Sequence, residues 1–154
     1  MTGDRPGASI RLRPATPADS GFCYLLHRAA LGDVVRAIWG WDEAVQRRLH
    51  DENFDPAATD IIVVDGRDAG MLATRQDPDG LYLARIELHP DRQGQGLGSR
   101  LIRGLHARAA ADGMPLLLDV LTVNTRAHQL YLRLGFHEVS RSGDPVRIRM
   151  RADP

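Results

Sequence analysis

Residues 81–89, LYLARIELH, read as a long strand that runs into Pro90 and then into RQGQGLGSRL. Proline has no N–H for a β-ladder, so pairing ends there. Gly94, Gly96 and Gly98 follow at alternate positions. An apolar stripe of Leu97, Leu101, Ile102, Leu105 and Ala109 then repeats at helical spacing. Glycine costs backbone entropy, and a chain uses it where it must turn sharply or let a ligand approach its backbone. A helix opened by glycines is also an anion site, because its first N–H groups lack intrahelical partners and its dipole adds positive charge there. A strand, a tight loop and an amphipathic helix in immediate succession require a sheet with helices packed on it.

The rest of the chain fits that architecture. Ile10–Pro14 alternates apolar and polar residues like an edge or half-buried strand. Thr16-Pro17 supplies an N-cap and a first-position proline for a helix over 18–31, with Gly32-Asp33 read as its break. A second helical stretch covers about 34–53, with a bend at Gly40 and WGWDE. Residues 61–65 (IIVVD) and 69–75 form a hairpin around a turn at Gly66-Arg67-Asp68, and Asp77-Pro78-Asp79-Gly80 turns into the strand over 81–89. A helix over 96–112 stops at Gly113. PLLLDVL at 115–121 lacks alternation, as a strand buried on both faces does. A helix over 124–134 ends at Gly135, and residues 136–140 and 146–151 close as two strands. The order β-α-α-β-β-β-α-β-α-β-β gives an α/β (α+β) class with a mixed sheet flanked by helices. Residues 1–9 read as a flexible tail and 10–151 as a single domain.

Composition narrows the function classes. The chain has 154 residues, 43% apolar and 26% charged, enough for a core without disulfides or metals. Net charge is zero, which argues against a nucleic-acid footprint. All 20 basic residues are arginine, and only four acids are glutamate: Glu43, Glu52, Glu87 and Glu138. No apolar stretch reaches the ~20 residues that span a bilayer, so no membrane partner is expected. The opening MTGDRPGAS has no apolar core of a signal peptide, and the one cysteine, Cys23, reads as a buried small hydrophobe. A cytoplasmic location is the expectation. None of the six histidines has metal-ligand spacing, and no metal is expected.

Three phosphate loops can be compared with residues 93–98. A P-loop requires Gly-Lys-Ser/Thr, and the chain has no lysine. A dinucleotide fingerprint requires Gly-x-Gly-x-x-Gly, and counting from Gly94 its last glycine is Ser99. The third is an acyl-CoA pyrophosphate loop, in which backbone N–H groups and a helix N-terminus suffice without lysine.

Gln93-Gly94-Gln95-Gly96-Leu97-Gly98 resembles the Gln/Arg-x-x-Gly-x-Gly/Ala signature of the GCN5-related N-acetyltransferase (GNAT) superfamily. IELHPDRQGQGLG is similar to that family's fourth strand passing through proline into the loop. VNTRAHQLYLRLGF is similar to its asparagine-to-tyrosine helix followed by Leu-Gly-Phe. The likeness runs from about residue 10 to 150, and IRLRPATPADS and WGWDE also resemble family members. The resemblance implies the GNAT fold, with acetyl-CoA as cosubstrate and direct transfer to a small-molecule or peptide amine. It leaves open a longer acyl group, a non-catalytic acyl-CoA-binding module, and a homodimer through the terminal strands.

Residue by residue, the resemblance places the pyrophosphate on Gln93, Gly94, Gln95, Gly96, Leu97, Gly98 and Ser99. It places the thioester carbonyl near the Leu88 N–H, where the strand at 86–89 splays from its neighbour. Asn124 would bond the pantetheine amide or serve as an N-cap. Arg126 would cover phosphate or lie on a solvated face. Tyr131, two helical turns after Asn124, would protonate the leaving thiolate or simply pack. Glu87 is the candidate base, or else pairs with an arginine such as Arg85, and His89 is its rival. Trp39, Trp41, Asp42 and Glu43 would receive a cationic amine through ring faces and charge. The alternative is a core tryptophan pair with Asp42 and Glu43 capping the next helix.

Overall fold

The computed structural model describes residues 7–154. Most of the expected tail, residues 1–6, lies outside the described residues. Its last two residues are held. The Ala8 carbonyl accepts from the Arg100 guanidinium at 2.9 Å, and the Ser9 N–H donates to Asp65 at 2.9 Å.

Seven strands form one sheet: β1 (Ile10–Pro14), β2 (Thr59–Val64), β3 (Arg67–Asp77), β4 (Gly80–Leu88), β5 (Leu116–Leu121), β6 (His137–Ser142) and β7 (Arg147–Ala152). Four helices join them: α1 (Ser20–Trp39), α2 (Glu43–Asn53), α3 (Leu97–Ala111) and α4 (Thr125–Arg133). The strand order is β1-β2-β3-β4-β5-β7-β6. Only β4 and β5 run parallel. That contact follows from the chain itself, because parallel neighbours need a crossover and α3 supplies it.

Each face of the sheet has its own core. Ile62, Val64, Leu72, Leu81, Leu83, Leu116, Leu118 and Val120 bury against Leu97, Ile102, Leu105 and Ala109 of α3. Tyr131 and Ala127 of α4 pack on the same cluster. The opposite parity of β2 and β3, Ile61, Val63 and Met71, packs with Cys23 and Leu26 of α1. IIVV is apolar at every position because both faces of β2 are covered.

Two expected boundaries move. Gly32-Asp33 does not break the first helix, and α1 runs unbroken through both residues to Trp39. Gly32 is buried and Val35 packs one turn further on, while Asp33 faces outward and pairs with Arg36 at 2.9 Å. A mid-helix glycine costs about 1 kcal/mol against alanine, which flanking burial outweighs here. The stop falls at Gly40, where φ is +73°. The first hairpin turns on Asp65-Gly66 rather than on residues 66–68. Both turn residues have positive φ, +51° and +79°, and Asp-Gly is a preferred pair for that geometry.

Candidate active site

The long strand β4 changes face part-way. Thr74 pairs with Leu83 but Ala73 pairs with Arg85, so Ala84 is an extra residue, a β-bulge. Before the bulge, Leu81 and Leu83 point into the α3 core. After it, Ile86 and Leu88 take that face. Without the bulge Glu87 would share a face with Leu81 and Leu83. With it, the carboxylate turns to the α1 side, where it is 3% exposed.

Glu87 meets α1 there. Its Oε1 lies 2.7 Å from Nδ1 of His27 and 3.9 Å from Nε of Arg85. Its Oε2 is buried with no hydrogen-bond partner. One aromatic ring lies beside His27 and a second lies beside that one. Trp41 is 6.4 Å from the imidazole and 6.5 Å from Tyr24, measured between ring centroids. Tyr24 is buried, with the Arg47 guanidinium 4.4 Å over its ring. Burial above all pushes the Tyr24 phenol up, and Glu43 adds to the rise, although the hydroxyl completes no hydrogen bond of normal geometry. The Trp41 N–H donates to Glu43 at 2.8 Å, and Arg28 and Arg47 each approach Glu43 at 3.3 Å. The indole N–H, with the arginines adding, holds the Glu43 carboxyl below its usual range.

The structure therefore gathers Glu87, Trp41 and Glu43 with Tyr24 and His27. Sequence reading had found the first three and missed the last two. Their signal was available, since His27 follows Cys23 by four residues and Tyr24 by three, the spacing that puts side chains on one side of a helix. Two expected acceptor residues stand apart. Asp42 caps α2, accepting from the Val45 N–H at 3.1 Å, and Trp39 ends α1 with 55% of its surface exposed. His89 is likewise committed, its Nδ1 accepting from the Asp91 N–H at 3.2 Å. Cys23 is fully buried, and burial pushes its thiol up to about 11, which makes it a poor nucleophile.

The neighbouring edge of β4 is open. β4 and β5 pair only at Leu81–Leu116 and Tyr82–Leu117, while β4 continues to Leu88 and β5 to Leu121. The His89 N–H donates to the Ala69 carbonyl on β3 at 2.8 Å. Antiparallel pairing alternates, so the Leu88 N–H points the other way, toward β5. Gln93 closes the end of this gap, donating through Nε2 to the Leu88 carbonyl at 3.0 Å. The loop follows through a 3-10 turn at Pro90–Arg92. Gly94 and Gly96 have φ of +74° and +77°, and a Cβ added at either would meet nothing within 4 Å. The backbone there is left-handed and bare. The first helical bond of α3 runs from the Arg100 N–H to the Gly96 carbonyl at 3.1 Å, so the N–H groups of Leu97, Gly98 and Ser99 precede it. Gln95 folds back, donating to the Asp91 carbonyl at 3.0 Å. These features fit a diphosphate held by backbone.

α4 follows β5 and packs on the α3 face of the sheet. Asn124 caps it, its Oδ1 accepting from the Ala127 N–H at 3.4 Å. Arg126 is exposed in its first turn. Tyr131 packs 5.8 Å from the Phe136 ring, and burial alone raises its phenol.

The acetyltransferase (GNAT) family model matches residues 24–136. The chain belongs to the GNAT family. Among curated relatives, the mycothiol acetyltransferase of Saccharopolyspora erythraea is 30% identical over 137 residues, which cover 85% of this chain and 44% of that protein. The chain thus spans less than half the length of that relative. Among solved structures, the PaiA N-acetyltransferase of Thermoplasma acidophilum in complex with coenzyme A superposes with a TM-score of 0.77 at 15% identity, over 95% of this chain and 99% of that one. The ribosomal-protein-S18-alanine N-acetyltransferase of Escherichia coli gives 0.67 at 22% identity, over 94% of each chain. Identities this low show a shared fold. No helix of the described residues is long and apolar enough to cross a membrane.

Proposed function

We propose that this GNAT chain moves an acetyl group from acetyl-CoA to a primary amine by direct transfer. The observation that carries the reading is the open gap between β4 and β5 with the bare, left-handed glycine loop at its end. The backbone N–H groups of residues 93–99 and the α3 dipole hold the pyrophosphate. The pantetheine arm lies in the gap, where the Asn124 NH2 group, which donates to no other described residue, bonds one of its amides and Arg126 covers the phosphates. The Leu88 N–H donates to the thioester oxygen as charge builds on it.

The two proton-handling groups lie on opposite faces of the sheet. Glu87, with His27 beside it, belongs to the α1 face and Tyr131 to the α3 face, and the reading has the two faces meet one reacting carbon where β4 and β5 part. Burial keeps the Tyr131 hydroxyl protonated through neutral pH, the state required to protonate a leaving thiolate. Glu87 anchors the basic end. Trp41, Tyr24 and Glu43 form the wall that receives the amine, in place of the Trp39 and Asp42 expected from sequence.

The test is thiol release from acetyl-CoA with a panel of primary amines: spermidine, an aminoglycoside, an amino acid and a short peptide. At least one should be acetylated. Tyr131→Phe should lower kcat by about 10-fold or more with acetyl-CoA affinity nearly unchanged. Equal loss of turnover and affinity would make Tyr131 a packing residue, and no thiol release with any amine would contradict the transfer reading.

A further inference from the structure

We infer that His27 is the catalytic base of this site, with Nε2 the atom that takes the proton and Glu87 its positioning partner. The inference rests on the transfer reading above and deepens it. A base must reach the proton it removes. The Glu87 side chain is 1% exposed and the His27 side chain 18%, so the carboxylate lies behind the imidazole. We assign the Glu87 carboxylate as the acceptor of this contact, and at 2.7 Å from its Oε1 the Nδ1 atom then carries the hydrogen. That leaves Nε2 bare. The carboxylate fixes the tautomer and ring orientation and stabilises the imidazolium once it forms, which is the logic of a carboxylate–imidazole pair in other acyl-transfer sites.

The packing around the ring supports this role. Trp41 borders the imidazole with Tyr24 next to it, and Glu43, the remaining acid of the cluster, is tied to Trp41, Arg28 and Arg47. The charged and titratable groups on the elements around His27 include Glu87 and Arg85 from β4, Cys23, Tyr24 and Arg28 from α1, and Glu43, Arg47 and His50 from α2. His50 is bound to the Ser20 hydroxyl at 3.1 Å and stacked on Phe54, with burial holding it toward the neutral form. Among these groups His27 alone places an imidazole at a partly exposed position, its side chain 18% exposed. In the transfer, the acceptor ammonium gives one proton to His27 Nε2, which passes it to solvent. The freed nitrogen bonds to the acyl carbon, the carbon–sulfur bond breaks with its electron pair going to sulfur, and the nitrogen's second proton is balanced by the one the sulfur receives.

Two experiments test this. In the free protein, 15N shifts of the His27 ring above neutral pH should show Nδ1 protonated and Nε2 bare; the opposite tautomer would overturn the assignment without any assay. In His27→Asn the amide nitrogen can still donate to Glu87, so the buried carboxylate stays paired while the basic atom is gone. With folding checked by circular dichroism, kcat with acetyl-CoA and the best amine of the panel should fall about 100-fold or more. The acid limb of the kcat/KM profile should vanish, with acetyl-CoA affinity kept. A folded His27→Asn that keeps wild-type kcat and the acid limb would overturn the base role alone. A wild-type protein that binds no acetyl-CoA would overturn the transfer reading and the base role together.

Discussion

At the scale of single residues, arginine and aspartate do most of the electrostatic work in a chain without lysine. Arg13 on β1 binds Asp19 at 2.8 Å and Asp68 at 2.9 Å, tying the start of the first helical segment to the β2–β3 hairpin. The Arg13 guanidinium, then the Thr16 N–H, hold the Asp19 carboxyl at about 2, down from 3.8. A carboxyl whose folded value lies below its unfolded one adds stability above the unfolded value and loses it as pH falls through the folded one. Its side chain is 13% exposed, so solvent screening leaves a contribution on the order of 1–2 kcal/mol. Asp19→Asn should therefore lower the urea midpoint at about pH 7, and the deficit should shrink between about pH 4 and pH 2. Equal deficits at both ends would assign the effect to shape rather than charge.

At the scale of elements, β4 shows what the sequence declares and what it withholds. Its length, its end at Pro90 and the glycine loop beyond it were legible because proline and glycine act locally. Its bulge at Ala84 was not, since an extra residue in a ladder is set by the partner strand rather than by its own side chains. The side on which Glu87 emerges therefore had to come from the structure. So did its partner, because 60 residues separate His27 from Glu87 in the chain. The partner strand also restricts itself. A Cβ at Gly70 on β3 would lie 2.4 Å from the Glu87 carbonyl, 3.0 Å from a Leu88 methyl and 3.1 Å from Ile62. Gly70→Ala should cost roughly 1–3 kcal/mol in urea unfolding and lower kcat as well, because Glu87 and Leu88 must shift. An unchanged midpoint would mean that β3 and β4 separate more easily than their contact implies.

At the scale of the whole molecule, one sheet separates two chemistries, and a local failure of pairing joins them. α1 and α2 build an aromatic and charged wall on one face. α3 and α4 build a packed core on the other, with the positive-φ residues Gly94 and Gly96 just before α3. The fold class and element order were readable from periodicity and turn residues. The glycine loop proposed to hold the diphosphate stood out in the sequence because it is made of consecutive residues. The proposed acceptor wall was only half readable, since Trp41 and Glu43 stand out by type, whereas the capping role of Asp42 and the outward placing of Trp39 depend on where α1 ends. Calorimetric titration of the protein with acetyl-CoA, with NADH and ATP as controls and Gly96→Asp beside the wild type, tests the central claim most directly. The wild type should bind acetyl-CoA selectively. Gly96→Asp, which puts a side chain and a negative charge where φ is +77° and the diphosphate would lie, should weaken binding about 100-fold or more while the protein stays folded. Equal affinity in the two proteins, or no selectivity for acetyl-CoA over the controls, would contradict the account.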